Sequence, residues 1–421
     1  MIQNDVTITQ KCQQCGSEYG LDIMVSACPA CKGRLDYHHK GQYNGQVNKD
    51  SNSLWRNFDL IPLNEPDNIC SLGEGGSEII EVEELGPYVN NARVFVMMDS
   101  EKNPTGVFKD REASIIMSRC KELGMDNLVF YSTANTGRSY THYAANMGLR
   151  TFLFMPRQCH YKNTKHIKKN KDNFIIYVDD HYYEIAPFAR KFAEQNGLNL
   201  IAPLQDRNEA YATVAYEQFQ TLPKCDYFVQ TIASGMGPIG FLKGHKTLVK
   251  FGLQQKEMIP RLVCVQSSQM NVMSAAYNSG KKLLKSEDLP KIFPDDLYEP
   301  TLNSTNPVNN YPDLYACLEE TNGIITDVDP KFVEAQSEAI INAFKKRGIT
   351  IRTALEKSLL ISFAGMIKLA RKGKFSKGEI ILLMSCGRGK DDVHELYLPD
   401  AVINPHDCDA MQLKKKLVRS I

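Results

Sequence analysis

The sequence has little net charge, no long apolar run and no low-complexity segment, and each absence argues against a class of function. Its 421 residues include 50 Lys and Arg against 49 Asp and Glu, a formal net charge of +1. This balance gives no electrostatic argument for a nucleic-acid or anionic-surface partner. Apolar stretches such as residues 380–384 have the length of strands, far short of the ~20 residues that a membrane span needs. The first eleven residues are polar, which predicts no signal peptide, and we expect a soluble, cytoplasmic protein.

The twelve cysteines lack the pattern of a disulfide framework, which is typical of short secreted chains. Most are scattered, as expected for small buried apolar residues. Two C-x2-C pairs near the N-terminus, each with a glycine at or near the following position, stand apart: Cys12, Cys15, Cys28 and Cys31. Four thiolates on two tight turns can enclose one tetrahedral Zn²⁺ with no open position. We therefore predict a structural zinc ribbon over residues 1–40, with two metal-free surface redox pairs as the alternative.

Beyond a polar stretch at residues 41–58 that is typical of a linker, short apolar runs alternate with segments of helical periodicity. The strand-like runs are residues 93–98, 127–131, 151–155, 174–178, 227–232, 262–266 and 380–384. Strands that alternate with helices predict an α/β fold with open parallel sheets covered on both faces. The length of the chain suits two or three domains with a sizeable core.

A lysine follows a Pro/Gly turn at the start of a predicted helix, residues 108–123, in the stretch Asn-Pro-Thr-Gly-Val-Phe-Lys109-Asp-Arg111. At a helix N-terminus, the positive end of the helix dipole and neighbouring cations lower the pKa of an amine. The neutral amine is the form that makes a Schiff base with an aldehyde, so Lys109 is a candidate for covalent catalysis. Taken alone, the motif also fits an ordinary exposed lysine.

A polar loop follows the predicted strand 127–131 and reads Ser132-Thr-Ala-Asn135-Thr-Gly-Arg138, before a helix predicted to begin at about Ser139. Ligands bind at the C-terminal ends of strands in open parallel sheets. Backbone N–H groups and hydroxyls of such a loop can bind a carboxylate. Ordinary capping of the helix by Ser or Thr is the equally weighted alternative.

Two more segments leave strand ends in the second half of the chain. Ser234-Gly-Met-Gly237-Pro lets backbone amides approach a phosphate, unless its glycines serve only a tight turn. Beyond residues 380–384, Ser385 or Cys386 can face a heterocyclic nitrogen, unless the segment is a plain Gly-rich turn. The joint occurrence of these segments in this order is more specific than any one of them.

Together with Ser71-Leu-Gly-Glu-Gly75, these segments resemble the threonine synthase family of fold type II pyridoxal-phosphate (PLP) enzymes. Its members show a similar Leu-Gly-Glu-Gly stretch, a Pro-Thr-Gly-x-Phe-Lys-Asp-Arg motif and a Ser-x-Gly-Asn-Thr loop, and some carry a four-cysteine ribbon. The resemblance spans nearly the whole chain. It implies a tryptophan synthase β-like architecture: the ribbon, a large PLP-binding domain at residues 41–114 and 206–421, and a small domain at 115–205. A homodimer is a further expectation from the family.

The resemblance also implies a role for each candidate residue. Lys109 would hold the cofactor as a Schiff base and move the protons of the substrate. Contacts to the ring oxygen, the phosphate and the pyridine nitrogen of the cofactor would come from Asn135, Ser234, Gly235, Met236 and Gly237, and from Ser385 or Cys386. The substrate would be held by a carboxylate loop and by arginines: Ser132, Thr133, Thr136, Arg111, Arg138 and Arg207. A neutral partner at the pyridine nitrogen favours elimination and replacement over transamination.

Several positions depart from the threonine synthase pattern, and two stretches, Asn-Thr-Gly-Arg138-x-x-x-His142 and Ser-Gly-x-Gly, look more like cysteate synthase. Ala134 replaces the usual glycine of the carboxylate loop, and His142 follows Arg138 by one helical turn on the same face. Arg138 can recruit an anionic nucleophile such as sulfite, or it can pair with an acidic neighbour on the surface. We therefore expect elimination or replacement on an O-phosphorylated amino acid: phosphohomoserine and water to threonine by default, or phosphoserine and sulfite to cysteate. A non-catalytic PLP-binding descendant is the alternative from another class, and Lys109 argues against it.

Overall fold

The computed structural model describes residues 5–132, 135–163, 165, 167–180, 182–201, 204–290, 297–302, 307–347, 357–387 and 395–419. The strands within these residues are β1 (Asp5–Cys12), β2 (Glu18–Tyr19), β3 (Leu35–Gln42), β4 (Ile79–Glu81), β5 (Arg93–Met97), β6 (Asn127–Tyr131), β7 (Arg150–Pro156), β8 (Asn173–Val178), β9 (Asn199–Leu200), β10 (Tyr227–Thr231), β11 (Arg261–Ser267), β12 (Ile324–Val328), β13 (Ile380–Met384) and β14 (Ala401–Ile403).

The α-helices of the same residues are α1 (Asp99–Lys102), α2 (Lys109–Glu122), α3 (Asn135–Asn146), α4 (Tyr182–Asn196), α5 (Leu204–Thr221), α6 (Met236–Lys250), α7 (Val272–Asn278), α8 (Tyr311–Glu320), α9 (Pro330–Lys346), α10 (Lys357–Ala370) and α11 (Ala410–Arg419). Short 3-10 helices cover Leu54–Leu60, Pro66–Asn68, Glu83–Val89, Arg157–Lys162, Lys256–Met258, Ser268–Met270, Ser286–Asp288 and Pro300–Leu302. No helix in the described ranges combines the length and the apolar character that crossing a membrane requires.

The chain folds into two compact units. Unit 1 comprises Met1–Glu74, Lys109–Ala210 and Val393–Ile421, and unit 2 comprises Gly75–Phe108 and Tyr211–Asp392. Unit 1 thus joins the segments before Gly75 and after Asp392 to the predicted small domain. The physical reason is core packing and strand pairing, because β14 pairs with β8 and α11 packs on α4. The predicted functional domains, 41–114 with 206–421 and 115–205, stay a prediction.

Unit 2 is built on a six-stranded sheet in the order β12-β11-β10-β13-β5-β4. Its strands are parallel except for the edge strand β4, which is antiparallel to β5. Alternate residues of β5 enter two separate core clusters: Val94 and Val96 pack in one, Phe95 and Met97 in the other. Successive side chains of a strand point to opposite faces, so both faces of this sheet are covered. The predicted open parallel sheet is confirmed.

Unit 1 contains a fully parallel five-stranded sheet in the order β14-β8-β7-β6-β9. Leu128 and Phe130 of β6 pack with residues of α2 and α3, and Val129 between them packs with residues of α4 and α11. The sheet is therefore also covered on both faces. The strand-end loop that follows β6 leads directly into α3.

The N-terminal ribbon is a three-stranded antiparallel sheet in the order β2-β1-β3, and it belongs to unit 1. The linker predicted for residues 41–58 is wrong at its C-terminal end, because the 3-10 helix Leu54–Leu60 begins inside it. Leu54 and Trp55 are buried in a cluster with Ile115 of α2, and Trp55 Nε1 donates to Ser114 Oγ at 2.8 Å. The C-terminal end of the predicted linker is therefore part of the hydrophobic core.

Candidate active site

The four cysteines of the ribbon converge on one point. Their sulfur atoms all lie within 4.8 Å of one another, with Cys12 Sγ 3.4 Å from Cys31 Sγ and Cys15 Sγ 3.8 Å from Cys28 Sγ. Four thiolates about 2.3 Å from a tetrahedral Zn²⁺ would be separated by about 3.8 Å. The donor set and its spacing therefore fit zinc, and four sulfur ligands leave no open position for catalysis.

The two cysteine turns reach the same shape with different residues in the left-handed conformation. In the first turn Gly16 has φ of +75°, and its N–H donates to the carbonyl oxygen of Cys12 at 3.0 Å. In the second turn that conformation belongs to Lys32, with φ of +62°. Gly33 is needed for close approach instead, because a Cβ there would lie 3.0 Å from Cys31 Sγ. Its N–H donates to the same sulfur at 3.3 Å, as expected for amides that point at a thiolate.

A buried arginine joins the ribbon to α2 and α5 within unit 1. Arg119 is fully buried, and its guanidinium donates to the carbonyl oxygens of Leu21 at 2.5 Å and Ile23 at 2.9 Å. Its Nε lies 3.7 Å from Asp206 Oδ1, which also accepts from the hydroxyl of Tyr37 at 2.9 Å. Burial raises the pKa of Asp206, and the neighbouring Arg119 opposes that rise. The ribbon is thus bound to α2, which carries Lys109 and Arg111, and to α5, which carries Arg207.

Lys109 is the first residue of α2, close to the start predicted for this helix. Its side chain is 18% exposed, and its Nζ lies 3.4 Å from Oε2 of Glu112, which is fully buried. Oε1 of Glu112 accepts from the hydroxyl of Tyr140 at 2.6 Å and lies 2.8 Å from Nε of Arg207. The structure therefore brings Lys109 and Arg207 together on one carboxylate. Sequence reasoning missed Glu112, although an acid three residues after a lysine on a helix is a readable signal.

Arg111 is fully buried on α2. Burial raises the pKa of the nearby Tyr143, with a further rise from Glu74 and a small opposing effect from Arg111. The hydroxyl of Tyr143 donates to Oε2 of Glu74 at 2.5 Å, and Glu74 also accepts from Ser71 Oγ and from the N–H of Leu72. The Leu-Gly-Glu-Gly stretch is thus anchored in unit 1 by its glutamate. The role of Arg111 as a phosphate ligand stays a prediction.

The strand-end loop after β6 caps the helix that follows it. Ser132 Oγ accepts from the N–H of Gly137 at 2.9 Å, which satisfies a donor in the first turn of α3. The predicted helix start at Ser139 is wrong, because α3 begins at Asn135. Thr133, predicted to hold the substrate carboxylate, lies outside the described residues.

Asn135 and Thr136 occupy the first two positions of α3, and both are partly buried. Their places at a helix N-terminus agree with a loop that offers amides and polar side chains to an anion. The capping bond of the preceding serine does not decide between helix capping and carboxylate binding, since a serine hydroxyl can accept and donate at the same time. The roles of the loop stay a prediction.

Arg138 is buried, with 5% of its surface exposed, so the surface position assumed for its pairing with an acid is wrong. It lines a cavity of about 10 Å³, which is about the space of one water molecule. Among the described residues the rest of the lining contains no acidic side chain: Thr141, Leu153, Met155, Asn163, Ile167, Lys169, Ile175 and Tyr397. His142, on the same helix, accepts the N–H of Lys168 on Nδ1 at 2.8 Å.

The predicted phosphate loop in unit 2 leads into α6, which begins at Met236. Gly235 precedes it with φ of +79°, a conformation that favours glycine. Ser234, just before it, is half-buried. Gly237 lies against a glutamine of the preceding strand, because a Cβ on Gly237 would lie 2.7 Å from Gln230 Nε2. The backbone at residue 237 therefore packs directly against the side chain of Gln230, which a glycine allows.

Gln230 of β10 connects the phosphate loop with the end of β13. Its Nε2 donates to Cys386 Sγ at 3.3 Å. Within the described part of the chain its Oε1 is a buried acceptor without a hydrogen-bond partner. Such an atom beside a glycine loop fits a site that a polar ligand completes. Sequence reasoning missed Gln230, since a single glutamine inside an apolar strand carries no motif.

Ser385 and Cys386 are both buried, but they have different neighbours in unit 2. Ser385 Oγ lies 2.5 Å from Ser100 Oγ, whereas Cys386 contacts the glutamine that lies beside the phosphate loop. The carbonyl oxygen of Cys386 accepts from the N–H of Phe108 at 2.9 Å, next to the candidate lysine in sequence. Of the two, the structure brings Cys386 to the predicted cofactor loop.

Comparisons with known proteins identify the family of this chain. The family described as pyridoxal-phosphate dependent enzyme matches residues 70–387. The threonine synthase of Methanocaldococcus jannaschii is 24% identical over 97% of this chain and 99% of its own length. The cysteate synthase of Methanoregula boonei is 22% identical over 93% of each.

Among solved structures, the threonine synthase from Escherichia coli superimposes with a TM-score of 0.68 over 98% of this chain and all of its own, at 12% identity. That similarity confirms the predicted fold class, and the relatives confirm the resemblance to threonine and cysteate synthases. Because the matched family covers most of the chain, including the lysine motif and the three strand-end segments, the chain belongs to the pyridoxal-phosphate dependent enzyme family.

Proposed function

We propose that this chain catalyses elimination or replacement on an O-phosphorylated amino acid, with pyridoxal phosphate as its cofactor. The observation that carries the proposal is Lys109, which stands at the first turn of α2 inside the matched family region and pairs there with a buried carboxylate. Relatives named for threonine and cysteate synthesis align with nearly the whole chain. A non-catalytic descendant has no use for such a lysine.

The residues present fit the cofactor. Bound pyridoxal phosphate supplies an electron sink for the carbanion beside the amino acid's carboxylate. Lys109 would attach the cofactor through its neutral amine and carry protons to and from the substrate. The backbone amides of Ser234, Gly235, Met236 and Gly237 would hold its phosphate, as their place at the N-terminus of α6 supports. Asn135 would bind the ring oxygen.

Cys386 is the better candidate for the pyridine nitrogen, since Ser385 pairs with Ser100 while Cys386 contacts Gln230. A neutral thiol there would leave the ring unprotonated, which favours elimination and replacement over transamination. The substrate would be held by the carboxylate loop and by arginines, whose forked guanidinium groups suit a phosphate: Ser132, Thr133, Thr136, Arg111, Arg138 and Arg207.

The default reaction is phosphohomoserine and water to threonine and phosphate. The relatives named threonine synthase support this default, since the one from Methanocaldococcus jannaschii aligns with 97% of the chain. The cysteate reaction is the second candidate, favoured by the buried Arg138 and by a relative named cysteate synthase that aligns with 93% of the chain. The two reactions differ in substrate and in nucleophile, so one assay separates them.

The test is the absorbance spectrum of the purified protein, followed by phosphate release with phosphohomoserine, and with phosphoserine in the presence and absence of sulfite. Phosphate release from phosphohomoserine would support the threonine reaction, and release from phosphoserine that sulfite increases would support the cysteate reaction. Lys109→Ala should lose both the yellow colour and the activity, whereas Lys121→Ala on the same helix should keep them. A protein that binds no PLP, or an active Lys109→Ala variant, would refute the proposal.

We also propose that the ribbon holds one structural zinc ion and that the enzyme is a cytoplasmic homodimer. The convergence of the four sulfur atoms supports zinc, and the family resemblance supports the dimer and the location. Metal analysis of the purified protein should give about one zinc per chain. Sedimentation velocity should give twice the chain mass of 47.5 kDa, and fractionation of the source cells should place the protein in the cytoplasm.

A further inference from the structure

Glu112 is a buried acid beside the candidate lysine, and the proposed reaction assigns it no role. It lies three residues after Lys109 on α2, which puts the two side chains on one helix face. Its carboxylate is fully buried, and its oxygen atoms have separate partners. Oε2 lies 3.4 Å from Nζ of Lys109, while Oε1 receives the hydroxyl of Tyr140 and lies 2.8 Å from Nε of Arg207.

The charges around Glu112 come from three helices. Lys109 belongs to α2, Arg207 to α5, and Tyr140 to α3. Burial, followed by the charge of Glu112, raises the pKa of Tyr140, so this side chain stays a neutral donor. One carboxylate therefore faces one permanent cation, Arg207, and one amine that can lose its proton. Among these described groups, Arg207 balances the carboxylate, so the set is neutral when Lys109 is the uncharged amine.

We propose that Glu112 is a positioning residue, which holds the amino group of Lys109 in place and balances Arg207 so that the amine can bind the cofactor. The inference rests on the proposed role of Lys109. The neutral nitrogen bonds to the aldehyde carbon of pyridoxal phosphate, and the aldehyde oxygen leaves as water with both amine protons. Before that step, the carboxylate orients the charged form of the amine, and Arg207 limits how strongly it holds the proton.

The test uses the cofactor-free full-length protein and does not need any substrate. Competitive acetylation across pH, with the Lys109 peptide quantified by mass spectrometry, gives the pH midpoint at which the amine becomes reactive. Removal of an opposite charge within ~4–6 Å disfavours the ammonium, so Glu112→Gln should lower this midpoint by about 1 unit or more. Arg207→Gln should raise it, because the change removes a cation that competes with the lysine for the carboxylate. Glu112→Asp should stay nearest to the wild type.

Glu122→Gln is the matched control, since Glu122 is an acid of the same helix that also pairs with a buried arginine, at 2.9 Å from Arg119 Nη1. It should leave the Lys109 midpoint where it is. A second readout is the rate at which the cofactor-free protein captures added PLP, whose pH profile should move with the acetylation midpoint.

Glu112→Gln and Arg207→Gln midpoints that coincide with the wild type would overturn the positioning role, even if the enzyme acts on phosphorylated amino acids. Shifted midpoints in an enzyme that releases no phosphate from either substrate would keep the positioning role and reject the proposed reaction. If Glu112→Gln does not fold, the opposite shift expected for Arg207→Gln decides the question alone.

Discussion

Replacing Arg119 by methionine tests whether the ribbon depends on one buried charge. The change removes hydrogen bonds to the carbonyl oxygens of Leu21 and Ile23 and to Glu122 Oε2, and it leaves Asp206 without its nearest cation. Methionine keeps much of the volume, so the loss is mainly electrostatic. Removing one partner of a buried ion pair costs about 3–5 kcal/mol, because an uncompensated charge stays behind.

The assay is urea unfolding monitored by circular dichroism at pH 7. Arg150→Met is the matched control, since Arg150 pairs with Asp172 at 2.9 Å in the same unit but is 38% exposed. Exposed ion pairs contribute about 0–1 kcal/mol, so the control should unfold almost like the wild type. Equal losses in free energy of unfolding for the two variants would refute the argument that Arg119 contributes more to stability because it is buried.

The pH dependence separates lost charge from lost packing. Without Arg119 the pKa of Asp206 in the folded state should rise further above its value in the unfolded state. A group with a raised folded pKa contributes stability at low pH that is lost as pH rises through that pKa. The deficit of Arg119→Met should therefore be smaller at pH 4 than at pH 7. A deficit that is the same at both pH values would point to packing instead.

Three other changes have outcomes that the structure predicts. Burial lowers the pKa of His245 to about 4, below its value in the unfolded chain. Between pH 4 and pH 6.5 this histidine should therefore add about 3 kcal/mol to the free energy of unfolding. His245→Asn should flatten that rise, as measured by urea unfolding at the two pH values. Gly237→Ala should weaken PLP binding in equilibrium dialysis, because its Cβ would meet Gln230. Adding Gln230→Ala should restore part of the affinity. Equal affinity of Gly237→Ala and the wild type would contradict the tight packing of residue 237 against Gln230. Removal of metal by a chelator should lower the stability of unit 1 and speed proteolysis within residues 5–42, and Cys15→Ser should imitate it; a chelator without effect would show that the ribbon folds without metal.

The features that the sequence predicts correctly have local signals. Alternating apolar runs predict the parallel sheets because each run becomes a strand with both faces buried, as Val94 to Met97 show. The paired cysteines and the turn before Lys109 are short motifs whose spacing is set within a few residues. The predicted start of α3, at Ser139, lies four residues after the observed start at Asn135. Ser132 caps the helix by accepting from Gly137, and the composition of the loop does not reveal that contact.

Apart from the contact between Lys109 and Glu112, the contacts that escaped prediction join residues far apart in sequence. Gln230 meets Cys386 across 156 positions, and Arg119 meets Leu21 across 98. Neither pair has a spacing that a local pattern can encode, and each depends on which strands and helices the fold places side by side. The same holds for Arg207. The sequence predicts it as a ligand for an anionic substrate group, but not its contact with the buried Glu112.

Helix α2 shows why its polar composition is itself evidence of function. Every residue from Asp110 to Cys120 is buried, although this stretch contains two acids and two arginines. Charged side chains are almost never buried without partners, because an unpaired charge in the interior is costly. Two of these charged side chains contact known groups at opposite ends of the helix. Glu112 contacts the candidate lysine, and Arg119 contacts the ribbon. A helix that only filled a core would be apolar at these positions, so the buried charges are explained by what they contact: the candidate lysine at one end and the cysteine ribbon at the other.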